Sequence, residues 1–303
     1  MYRFNKIMIA VNFNSADQSI LAYSSHIARL AKSSKIYFVH IAENLEIPSE
    51  LREQYPSLIE PLDQFALRRM EELARQYFTD QKETEISFEV AEGEQVSNML
   101  RLIKIKDIDL VLVGKNMNSS QDVFLGEKLA RKAPCSVLVI PDGTKPIYND
   151  ITIACDFSNH SMDAIDIGRA FASSAGLKYF DCLHVFEIPT GYYKTGKTYE
   201  EFSDIMKKNS MKQFNEMINK LEMEGIKPEL KLVLNSKPAR AIEEFIRDSG
   251  SDLLIVGARG RANGAGILLG SVTEKLIQTV NIPILAVKKK GAGLDILNAI
   301  LNR

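Results

Sequence analysis

The chain is poor in several things, and each shortage removes a class of function. It has three cysteines, Cys135, Cys155 and Cys182, all within or beside apolar runs. Three is odd and sparse, so a disulfide framework is not expected and a reducing, cytoplasmic setting fits. No CxxC and no Cys/His ligand spacing occurs, so no metal site is expected. Charge of one sign is also missing: 38 basic against 39 acidic residues leave a net charge of -1. That balance gives no electrostatic case for nucleic acid or an anionic membrane as partner. No apolar run reaches membrane-spanning length, and only five residues precede the first apolar run at Ile7, which leaves no room for a signal peptide.

What the chain does have is length and repetition. At 303 residues it is long enough for two ordinary domains. Lys6–Asn14 (KIMIAVNFN) matches Asp150–Ser158 (DITIACDFS) at an offset of 144. Phe38-Val39-His40-Ile41 matches Cys182-Leu183-His184-Val185 at the same offset. Ile108–Asn116 matches Ser251–Arg259 at 143, and Glu127–Ile140 matches Glu274–Val287 at 147. A period of this size is a whole domain, not a solenoid unit. The polar stretch Pro141–Asn149 marks the junction. The expected organisation is one domain over residues 1–143, a second over 149–290, and a tail over 291–303.

Each half alternates strand and helix. Strands are predicted at Ile7–Asn12, Ile36–Ile41, Ile86–Ala91, Asp109–Gly114 and Val137–Ile140. Their counterparts are Ile151–Cys155, Phe180–Phe186, Glu229–Leu234, Leu253–Gly257 and Ile284–Val287. Most are short continuous apolar runs, as strands covered on both faces should be. The third strand of each half alternates instead, which predicts one more exposed face. Ser15-x-x-Gln18 reads as a capping box opening the first helix. Ala164, Ile167, Gly168, Phe171 and Ala175 form an apolar helical stripe. The longest helical stretches are Pro61–Phe78 and Glu200–Glu224. The predicted fold class is α/β, with two tandem doubly wound domains of five parallel strands. Ligands of such sheets bind at the carboxyl ends of the strands, at the switch point.

The most informative segment is Leu253–Ser271. It reads as a buried strand, a glycine-spaced loop and a helix start, with the spacing Gly257-x2-Gly260-x9-Gly270-Ser271 followed by Val272 and Thr273. Such a loop leaves backbone N–H groups free, and the helix N-terminus adds partial positive charge. Phosphate is the natural occupant.

A βαβ domain ending in this spacing resembles the universal stress protein family, in its ATP-binding form. The resemblance implies that Asp156, at the end of the second half's first strand, contacts the adenosine part. It implies a backbone contact to adenine at Val185. It also implies a phosphate loop made of Gly257, Arg259, Gly260, Gly270, Ser271, Val272 and Thr273. The ligand implied is an adenine nucleotide, ATP or its relatives AMP and ADP, with Mg²⁺ as an accompanying ion. The two copies are expected to pair as an intramolecular pseudo-dimer through their last strands, with a homodimer as a further arrangement.

The first half departs from this pattern. Asn12 replaces the Asp, and Met117 stands where the second glycine belongs. From Gly114 to the shared Glu-Lys-Leu takes 13 residues, against 17 from Gly257. Gly126 is followed by Glu127, a carboxylate that would repel phosphate. The first half therefore reads as a scaffold that has lost the site.

Plainer readings stand beside these. Ser271-x-x-Glu274 is also a capping box. Asp156 also suits a carboxylate stabilising the next helix. Gly264 and Gly266 also read as flexible filler. His40 and His184 occur at equivalent places in both halves, which favours packing over catalysis. Gly191–Thr198 (GYYKTGKT) matches the phosphate-loop string G-x4-G-K-[ST]. However, two tyrosines sit where the loop must wrap phosphate, and Gly257 ends the strand where a metal-binding Asp would be expected; a mobile segment near the nucleotide, with Lys194 or Lys197 reaching its phosphates, is the favoured alternative for this string. Lys288–Lys290 read as a solvated strand end, and the tail places Leu294, Leu297 and Leu301 on one helical face.

The expected function is a cytoplasmic stress-response regulator that binds an adenine nucleotide in its second domain. A slow ATPase or phosphotransferase using the same pocket, and a nucleotide-free interaction scaffold, are the alternatives. No catalytic constellation is visible.

Overall fold

The computed structural model describes residues 4–43, 61–79, 83–116, 120–260 and 269–291. Two compact units divide the chain. One is Met1–Pro146 together with Lys289–Arg303, and the other is Ile147–Lys288.

The first unit runs β1 (Lys6–Ala10), α1 (Ala16–Ala31), β2 (Lys35–Ala42), α2 (Leu62–Tyr77), β3 (Glu85–Glu92), α3 (Gln95–Lys106), β4 (Leu110–Lys115), α4 (Ser120–Lys132) and β5 (Ser136–Pro141). Its strand order is β3-β2-β1-β4-β5, and the pairings are parallel. The second unit repeats this with β6 (Ile151–Ala154), α5 (Asn159–Ser174), β7 (Tyr179–Phe186), α6 (Tyr199–Ile218), β8 (Lys227–Leu234), α7 (Pro238–Ser249), β9 (Leu253–Gly257), α8 (Ser271–Thr279) and β10 (Ile284–Val287). Its order is β10-β9-β6-β7-β8, again parallel. All ten predicted strands are present, displaced by a residue or two at their ends.

The reason is the covering of both faces. Central strands such as β4 and β9 are buried along nearly their whole length, so no polar alternation is needed. The alternating strands β3 and β8 lie at sheet edges, and both are half-exposed on either face rather than more exposed on one. In α5 the buried face is Ala164, Ile165, Ile167, Gly168, Phe171 and Ala172. Ala175, expected in that stripe, is the exposed C-terminal cap instead.

The capping box expected at Ser15 does not form. Ser15 caps no helix N–H; its hydroxyl bonds the Asp142 carboxylate. The Asn14 side chain takes the Ala16 N–H at 3.0 Å, and Asp17 turns back to the loop before the helix. Lys289 and Lys290 are exposed, as a solvated strand end should be, and Lys290 Nζ also lies 2.8 Å from carboxylate oxygens of both Asp107 and Asp109 in the first unit. Met117 and the leucines Leu294, Leu297 and Leu301 lie outside the described residues.

A cap the sequence reading missed opens α3. Both Glu94 carboxylate oxygens are used, one by Val96 N at 3.2 Å and one by Ser97 N at 2.6 Å. Burial works against the charge, but these hydrogen bonds, with Lys128 nearby, outweigh it and hold the carboxyl below its ordinary 4.5. Because the folded value is depressed, its stabilisation is present above the unfolded pKa and is lost as pH falls through the folded one. Glu94→Ala should therefore lower stability by about 1 kcal/mol at neutral pH, a usual cap effect, and by less near pH 3. Urea melts at the two pH values check this; an equal loss at both would remove the charged cap.

Candidate nucleotide site of the second unit

The chain order of the second unit sets where a cleft must open. From β6 the sheet grows one way through β7 and β8, then returns to the other side through β9 and β10. Neighbouring crossovers at β6 and β9 thus leave in opposite directions, and a crevice forms at their carboxyl ends. A cavity of about 340 Å³ lies there. Asp156, Val185, Gly257, Arg259, Gly260, Gly270, Ser271, Val272 and Thr273 all line it. They come from four separate segments, and the fold brings them together. Gly264 and Gly266 lie outside the described residues.

On one side is the start of α8. Its N-cap position is Gly270, so Ser271 is the first helical residue and the expected Ser271 capping box is not made. The first turn of a helix leaves its N–H groups without intrahelical partners. Here those are the N–H groups of Ser271, Val272 and Thr273, since Glu274 N already bonds Gly270 O at 2.9 Å. Two other donors are spoken for. Gly270 N donates to Ala258 O at 2.8 Å and pinches the base of the loop. The Thr273 hydroxyl donates to Gly257 O at 2.9 Å, tying the helix to the end of β9. Thr273 thus offers its backbone to the cavity, not its side chain.

Asp156 also lines the cavity. Its Oδ1 accepts from Ser158 N at 3.0 Å and from the Ser161 hydroxyl at 2.6 Å. Its Oδ2 lies where a side chain on Gly260 would project: a Cβ there would sit 2.9 Å from it. Glycine at 260 is therefore what lets the carboxylate and the loop approach. Gly257 serves differently, because a Cβ on it would meet the His160 backbone at 2.9 Å.

The apolar wall comes from Leu183, Pro238, Ile242 and Val256. Pro238 and Ile242 escaped the sequence reading, since nothing local marks the helix after an edge strand as facing the cleft. His184 lies on the wall, but its ring is committed to the fold. Its Nδ1 is 2.8 Å from Cys155 O, and Phe157 stacks on it at 4.2 Å. His40 repeats this with Val11 O at 2.8 Å and Phe13 at 4.5 Å, which bears out the packing reading. Burial pushes the Cys182 thiol well above its ordinary value, with Cys155 and Asp181 adding to it. That thiol is kept neutral and unreactive.

The rival string Gly191–Thr198 lines no part of this cavity. Tyr192–Thr195 form a short 3-10 turn, and Thr198 caps α6 in a full capping box with Glu201. Its Lys-Thr pair is thus the mark of a helix start.

The first unit is built differently at the same place. Asn12 Oδ1 is held by Gln95 Nε2 at 2.9 Å, and Glu94 closes the following helix. Gly126, expected beside the phosphate position, lies inside α4, where a Cβ would press on Val139 at 3.0 Å. It is a packing glycine, and Glu127 pairs with Arg131 at 3.4 Å within the helix.

Among the described residues no group of three or more His, Cys, Asp or Glu side chains could hold a metal, and no helix is long and apolar enough to cross a membrane.

Comparison with known proteins agrees with the repeat. The model of the universal stress protein family matches the chain twice, over residues 3–141 and 147–288. A universal stress protein of Methanocaldococcus jannaschii, MJ0577, is 31% identical over 160 residues, covering 48% of this chain and 98% of that protein. YxiE, a universal stress protein of Bacillus subtilis, is 27% identical over 150 residues, covering 47% of this chain and all of its own, 100%. Among solved structures, a universal stress protein of Archaeoglobus fulgidus superposes with a TM-score of 0.63 at 14% identity, over 94% of this chain and 97% of that one. PA1789 of Pseudomonas aeruginosa does so with 0.66 at 13% identity, over 99% and 98%. At these identities the two superpositions speak for the fold alone.

Proposed function

The chain belongs to the universal stress protein family, and from that premise we propose that it is a cytoplasmic regulatory protein binding one adenine nucleotide, ATP first among them, in its second unit. The observation that supports this most is the convergence on one cavity of the open first turn of α8 and the Asp156 carboxylate, with two close-approach glycines between them. The helix start suits the phosphates, with Mg²⁺ travelling on them. The Asp156 carboxylate on the lining suits hydrogen-bond donors of the nucleoside. The apolar wall of Leu183, Pro238, Ile242 and Val256 suits a flat base. AMP or ADP would use the same groups with fewer phosphate contacts. The first unit acts as a partner scaffold within the chain, an intramolecular pseudo-dimer.

Titration calorimetry with ATP and Mg²⁺ on the whole chain should give a stoichiometry near one, because in the first unit Asn12, held by Gln95, stands where the second has Asp156. Two equivalent sites would sink the scaffold reading. The enzyme alternative is tested in the same samples by phosphate release. Turnover at ordinary enzyme rates, about 1–10³ per second, would replace the regulatory reading.

A further inference from the structure

We propose that Ser161 is the positioning residue of the Asp156 carboxylate, and that the pair at these two positions decides whether a copy of this domain offers its carboxylate to a ligand or turns it onto its own backbone. The proposal rests on the nucleotide reading above.

Ser161 is buried in the first turn of α5, so its hydroxyl has a fixed place. It accepts a hydrogen bond from Asp156 N at 3.0 Å and donates one to Asp156 Oδ1 at 2.6 Å. A hydroxyl can do both at once. The second bond is charge-assisted and short, among the stronger kinds. With Ser158 N also on Oδ1, that oxygen is anchored from two directions, which fixes the carboxylate beside Gly260 on the cavity lining.

The first unit performs the control. Its residues at the corresponding places are Asn12 and Asp17, each 144 positions earlier. The backbone between them is alike: Phe13 has φ 53 and Phe157 has φ 63, both left-handed, and both rings rest on a histidine. The chemistry is inverted. Asp17 accepts from Asn12 N at 3.1 Å and from Phe13 N at 2.7 Å, and it is buried. Its carboxylate is turned onto the loop backbone. The strand-end Asn12 is held by Gln95, where the second unit has the cavity-lining Pro238. An ionised carboxylate at the helix position only accepts, so it cannot hold a second carboxylate at the strand end and would repel it. Serine at the helix position and aspartate at the strand end therefore go together.

The test measures ATP dissociation constants and thermal midpoints of the whole chain. Ser161→Ala should weaken ATP about tenfold, as the loss of a charge-assisted bond that orients a ligand group does. Ser161→Thr, which keeps the hydroxyl, should recover most of that. On an Asp156→Asn background, Ser161→Ala should weaken ATP no further. The exchange variant Asp156→Asn/Ser161→Asp recreates the first unit's arrangement, so it should fold and bind ATP at least about tenfold more weakly. An equal loss from Ser161→Ala on both backgrounds, or undiminished ATP affinity in the folded exchange variant, overturns the proposal. If Asp156→Asn weakens ATP and Ser161→Ala does not, the positioning role alone fails. No ATP binding by the unaltered chain overturns both the nucleotide reading and the proposal.

Discussion

Gly270→Glu combined with Ser271→Ala should remove ATP binding while leaving the protein folded. The fold argument comes from the backbone. Gly270 has φ -75 and ψ 144, an extended conformation open to any residue, so glycine is not required there for conformational reasons. A carboxylate at the N-cap of α8 would even favour the helix dipole. The binding argument runs the opposite way on the same geometry. The new carboxylate stands at the turn whose N–H groups belong to Ser271, Val272 and Thr273, and it repels a phosphate that would lie against them. The serine change removes a hydroxyl donor on the cavity wall. A hydrogen bond to a charged group contributes about 1.5–3 kcal/mol, so Ser271→Ala alone should weaken ATP roughly tenfold to a hundredfold. The double variant should show no heat of binding at millimolar nucleotide and an unshifted thermal transition in the absence of ATP. Unchanged ATP affinity in the folded double variant would refute the assignment of the phosphate site to α8.

The sequence carried the sheet because burial on both faces writes itself locally, as continuous runs such as Leu253–Gly257. The edge strands were legible as strands, since Ile86, Phe88 and Val90 alternate with polar residues, but both faces are half-exposed and not one alone. The repeat made the switch point legible, and with it the place of the cleft. What was not legible depends on partners far along the chain. Ser15 looks like a cap, but the hydroxyl goes to Asp142, in the stretch after the last strand of its unit. Gly126 looks like a loop glycine, but its neighbour is Val139 on β5. Lys290 is exposed as expected, but its pairing with Asp107 and Asp109 was not legible. Pro238 carries no local sign that its helix starts beside the cavity. Ser161 falls between these cases. Its position could be read from the repeat, but its meaning needed the observed pairing of its hydroxyl with Asp156.

The glycines separate the real loop from its imitation. Gly257 and Gly260 are glycine because something stands where a side chain would go. At Gly257 it is the His160 main chain at 2.9 Å, which no rotamer change relieves; at Gly260 it is Asp156 Oδ2 at the same distance. Gly191 and Gly196 of the other string have nothing within 4 Å. Gly257→Val should therefore force β9 away from the start of α5, and overpacking of this kind costs about 1–3 kcal/mol of stability or more. Gly260→Val should leave β9 in place, because its conflict is with a side chain, and its stability cost is the Asp156–Ser161 hydrogen bond broken as the carboxylate swings aside. That swing takes the Asp156 carboxylate from the cavity, so ATP binding should fall at least about tenfold on the loss of one charged contact. Gly191→Ala and Lys197→Ala should leave ATP affinity within about twofold, since this string caps α6 and lines no part of the cavity. Thermal melts and calorimetry on the four variants give the pattern directly. Loss of binding in Lys197→Ala with binding kept in Gly260→Val would move the phosphate site to Gly191–Thr198 and undo the assignment made from Asp156 and α8.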